Sequence, residues 1–66
     1  MKTIIEELKE EIWDLSFKIS YNAALLKEDY YTESDKENLR NENLRLTEQK
    51  SKRETLVQIF EQKRLN

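Results

Sequence analysis

The stretch Ile5–Leu26, IEELKEEIWDLSFKISYNAALL, decides the fold. Ile5, Leu8, Ile12, Leu15, Ile19, Asn22 and Leu26 recur at alternating steps of three and four, which places them on one seam of an α-helix at coiled-coil spacing. A seam of this kind is stable only when a second helix covers it. Just upstream, Thr3 is followed three residues later by Glu6, the pattern of a capping box. The first helix is therefore expected over about 3–30.

Downstream, a second periodic run comprises Lys36, Leu39, Asn43, Leu46, Lys50, Arg53, Val57 and Phe60, and Ser34 with Glu37 offers a capping box before it. A second helix is expected over about 35–64, with a turn over about 31–34. The two runs are out of phase: carrying the first seam beyond Leu26 reaches Glu33, Arg40 and Thr47, all polar. Folding the chain between them gives antiparallel partners whose residue numbers sum to 65. Ile5 then meets Phe60, Leu8 meets Val57, Ile19 meets Leu46 and Leu26 meets Leu39. The predicted fold is all-α, a two-helix antiparallel coiled-coil hairpin that dimerises into a four-helix bundle, with residues 1–66 forming one domain.

The same register sets Asn22 against Asn43, a polar pair that costs stability but penalises registers that would strand either amide. It also sets Asp29 against Lys36 near the turn. Glu6, Glu7, Glu10 and Glu11 lie at the positive end of the first helix, near Lys63 and Arg64 at the negative end of the second. A parallel pairing would set those acids against their own copies, and a single uninterrupted helix of ~100 Å would leave the seam bare.

The chain has neither Cys nor His, so disulfides, thiolate metal sites and the commonest general base are excluded, and no cofactor or metal is expected. Without Gly there is no phosphate loop or dinucleotide fingerprint, and the serines have no His to activate them. Adjacent carboxylates such as Glu6-Glu7 and Glu10-Glu11 sit on a helical surface with no pocket to shift their titration, and they read as solvated. The stretch Asp29–Arg40 fails as a calcium loop, because Ser34 stands where Gly is needed and Arg40 where Glu is needed. The chain is thus expected not to be an enzyme. Its 39% charged residues sum to a net charge of only −2, so total charge does not select a nucleic-acid partner. No apolar run approaches a membrane span, the start turns acidic too early for a signal peptide, and the lack of Cys suits the cytoplasm.

A chain of 66 residues buries a small fraction of its surface, so an isolated hairpin is expected to cover another face by association. Trp13, Phe17 and Tyr21, spaced four apart and continued by Ala24, form a stripe roughly 160° around the helix from the seam. Aromatic residues concentrate in interface cores, so this stripe is the leading candidate for an oligomer or partner interface. Self-association ranks first, a foreign protein partner second and an exposed stripe without a role third. Tyr30 and Tyr31 are read as a cover for the hairpin tip. Lys50 and Arg53 replace apolar residues opposite Leu15 and Ile12, and their stems are expected to lie over the seam while their charges reach water. With Lys52 they form a weaker candidate for a basic patch, in a segment with eight basic and seven acidic residues from Tyr31 onward.

In size and topology the predicted hairpin resembles Rop-type RNA-binding helical hairpins, which dimerise into four-helix bundles; the likeness extends to no residue motif. The expected function is a small protein–protein interaction module, an adaptor, regulator or inhibitor that docks a helical face. The alternatives are a nucleic-acid-binding bundle using Lys50, Lys52 and Arg53 with Arg40 and Arg45, or a structural spacer in a larger assembly.

Overall fold

A computed structural model describes residues 1–65, with side chains described through Lys63. It contains two helices, α1 (Ile4–Leu25) and α2 (Glu33–Leu65), packed against each other as a hairpin with extents of 52 × 20 × 14 Å. Thr3 caps α1: its Oγ1 accepts from the Glu6 amide at 3.2 Å, while the hydroxyl itself lies 3.2 Å from Glu6 Oε1, to which it donates. The helix thus begins where the capping box predicts.

Among the described residues every buried one belongs to the predicted seam: Ile5, Leu15, Asn22, Leu46 and Val57. Leu8, Ile12, Ile19, Leu26, Leu39 and Phe60 are half-buried along the same line. Three contacts between the helices have residue-number sums of 64, 62 and 70, bracketing the predicted 65: Arg53 Nε to Glu11 Oε2 at 2.8 Å, Asn43 Nδ2 to Ile19 O at 3.2 Å, and Lys9 Nζ to Glu61 Oε1 at 3.0 Å. The scatter is what two flanks on opposite sides of one seam produce.

The connection differs from the sequence expectation. Helix α1 stops at Leu25 instead of Tyr30, and the turn occupies 26–32 instead of 31–34. Beyond Leu26 the run Lys27-Glu28-Asp29 offers nothing to bury, so continuing the helix gains no packing. The last turn tightens instead, with Lys27 N donating to Ala24 O at 3.2 Å and Glu28 N to Leu25 O at 3.0 Å. No described residue has positive φ. A helix without Gly cannot end cheaply in the left-handed cap that permits the shortest reversals, and a seven-residue connection built on negative φ replaces it.

The cap of α2 is also displaced. Thr32, not Ser34, closes the box: Asp35 N donates to Thr32 Oγ1 at 3.1 Å and Thr32 N donates to Asp35 Oδ2 at 3.4 Å. Ser34 lies exposed within the first turn of the helix. Asp29, in the connection, forms no ion pair with Lys36, because the chain has left helical geometry before reaching it.

The core is thin. Its buried apolar members are Ile5, Leu15, Leu46 and Val57, and none is completely enclosed. The accessible surface is 5481 Å², against roughly 4500 Å² for a compact protein of this mass. The excess of about 1000 Å² is close to what one partner of a standard interface covers, about 800 Å².

Candidate functional site

The outer face of α1 carries the stripe. The seam holds Ile5, Leu15 and Asn22 against α2, and the 3.6-residue repeat then turns Trp13, Phe17 and Tyr21 to the far side. They are 68%, 61% and 58% exposed. The Trp13 and Phe17 rings are stacked with centroids 6.0 Å apart and planes 17° from parallel, within the range of favourable aromatic pairs. Ala24 is exposed on the same face.

Beside the aromatic row runs a second row at the same spacing, Ser16, Ser20 and Ala24, made of small residues. Trp13, Phe17, Ser16 and Ser20 enclose a shallow groove of about 200 Å³. The surface is therefore a ridge of large rings next to a trough. On the other flank, Phe17 and Tyr21 share a depression with Lys18, Asn22 and Glu42. At the N-terminal end of the face, Lys2 pairs with Glu10, whose hydrogen bond holds the Lys2 ammonium above its usual range.

The cationic candidates are not gathered for a ligand. Arg53 is ion-paired with Glu11 and donates from Nη1 to Gln49 O at 3.1 Å. Lys50 is half-buried over the seam, as its position opposite Leu15 requires, and Lys52 is exposed. Arg40 and Arg45 are exposed further along α2. Arg64, expected beside the acidic cluster, has a side chain outside the described residues, and Lys63 lies near Thr3 and Ile4. Among the described residues no group of three His, Cys, Asp or Glu side chains could hold a metal ion. No helix among them is long and apolar enough to cross a membrane.

Sequence reasoning passed over several exposed apolar residues. Ile4, Leu56 and Ile59 are 56%, 43% and 42% exposed near the open end, and Ile4 lines a recess with Ile5 and Phe60. Leu44, 65% exposed, stands near the middle of α2. They fall outside the seam period, and only a map of both helices onto one hairpin brings Ile4 beside α2. At the tip, Tyr30 and Tyr31 have ring centroids 4.5 Å apart, and Tyr31 is half-buried while Tyr30 is 72% exposed.

No family model matches the chain, and neither a curated protein nor a solved structure matches it.

Proposed function

We propose that this chain is a small, non-enzymatic protein–protein interaction module, acting as an adaptor, regulator or inhibitor, that dimerises and docks through the outer face of α1. The observation that carries the reading is the exposure of Trp13, Phe17 and Tyr21 side by side on a chain whose seam leaves so little apolar surface enclosed. Contiguous exposed aromatics are uncommon on monomers and frequent at the energetic centre of interfaces. The hairpin presents the face, and the face supplies affinity. A cysteine-free chain of this size suits a reducing compartment such as the cytoplasm.

A nucleic-acid-binding bundle draws less support, since Arg53 is neutralised by Glu11 and the net charge is −2. Sedimentation equilibrium on the wild type and on the Trp13→Ala/Phe17→Ala double variant tests the proposal. The expected result is a wild-type dimer and a loss of several kcal/mol of association in the variant, on the scale of aromatic hot spots. An unchanged oligomer with unchanged melting removes the stripe from the interface. A wild type that stays monomeric at all concentrations removes self-association and leaves the face to a foreign protein.

A further inference from the structure

The outer face of α1 is complementary to itself in shape. The ridge Trp13-Phe17-Tyr21 and the trough Ser16-Ser20-Ala24 are neighbouring rows of residues four apart. Two helices pack best when such a ridge on each enters the corresponding groove of the other, which sets their axes at about −50° and 8–10 Å apart. A two-fold axis beside Phe17 achieves this for two copies of one chain, with Phe17 near its own copy and Trp13 of each protomer toward Tyr21 of the other.

The charge along α1 also favours an antiparallel copy. Within α1, residues 4–14 hold five acids and one lysine, net −4, whereas residues 15–25 hold Lys18 and no acid, net +1. An antiparallel crossing lays the acidic half of one copy toward the basic half of the other. A parallel one sets Glu6, Glu10 and Asp14 against their copies.

We infer that the occupant of this face is a second copy of the chain, crossed antiparallel at Phe17 with each aromatic ridge seated in the other's Ser16-Ser20-Ala24 trough. The inference rests on the self-association reading and specifies its geometry. Because α2 and the partner cover opposite sides of α1, the four helices stack in the order α2, α1, α1′, α2′. A closed bundle around one shared core would instead bury one flank of each hairpin, and with it either the Glu11–Arg53 or the Lys9–Glu61 pair.

Ser20 is exposed, so Ser20→Leu leaves the hairpin intact and fills the trough. Sedimentation equilibrium should show its dimer dissociating at concentrations at least about tenfold higher than the wild type, because the seated ridge is overpacked, with circular dichroism unchanged where both are dimeric. Generic apolar adhesion predicts the reverse, and a tighter Ser20→Leu dimer overturns the inference. Inter-protomer spin-label distances then fix direction, using the cysteine-free chain with Asp14→Cys or Glu7→Cys, both at exposed positions that leave Lys18 in place. The antiparallel crossing predicts a short distance at 14 and one of about 30 Å at 7. Short distances at both mean a parallel dimer, long distances at both mean another face, and either overturns the geometry while leaving self-association standing. A monomeric wild type overturns both.

Discussion

Asn22 and Asn43 occupy the middle of the seam without forming the mutual pair that their opposition suggests. Asn43 Nδ2 donates to Ile19 O, and Asn22 Nδ2 and Asn43 Oδ1 are left buried without partners. A buried polar atom without a partner costs about 1–3 kcal/mol, so this layer is a local weakness in a core of four buried apolar residues. Replacing both residues by Leu is predicted to raise Tm by about 5–10 °C in thermal circular dichroism, at roughly 4–8 °C per kcal/mol for a domain this small. The cost is register: Asn at a seam position penalises misaligned pairings, and the apolar variant should populate more than one oligomer. A strongly destabilised variant that remains a single species would show that the amides do more for the hairpin than their missing partners indicate. Lys50 is a second weak point, half-buried in the seam register opposite Leu15. Lys50→Leu should stabilise by about 1 kcal/mol through added apolar burial, and a fall in Tm would mean that its ammonium is needed where it lies.

At the scale of the elements, the seam was legible because periodicity reports directly which side of a helix must be covered. Ile5, Leu15, Asn22, Leu46 and Val57 could be placed from spacing alone. The connection was less legible. Both Thr32 and Ser34 have an acid three residues on, so two capping boxes compete within three positions and pattern does not rank them. The structure selects Thr32, whose hydroxyl accepts from the Asp35 amide, and Leu39 lies half-buried in the seam about two turns beyond. Thr32→Ala is accordingly predicted to cost about 1 kcal/mol of stability, and Ser34→Ala only a few tenths, in parallel denaturant melts. Equal effects, or a larger one at Ser34, would move the start of α2. The stripe's place on the outer face of α1 was legible by the same arithmetic that placed the seam. Its trough was not, since small residues carry no signal until the neighbouring rings stand beside them.

For the molecule as a whole, the central issue is whether a hairpin with so thin a core exists alone. Its surface exceeds that of a compact chain of equal mass by about a fifth, and three of its four exposed rings, Trp13, Phe17 and Tyr21, share one face. The proposed dimer therefore couples folding to association, so stability should depend on protein concentration. Trp13 is the chain's only tryptophan and sits on the face in question, which makes its emission a direct reporter. The decisive measurement is Trp13 fluorescence of the unmodified protein across a dilution series, with helicity followed in parallel. Dimerisation through this face predicts an emission maximum that moves from the solvent-exposed position to shorter wavelength as concentration rises, over the same range in which helicity increases. Emission that stays at the exposed position at every concentration, with the hairpin fully helical throughout, would contradict it.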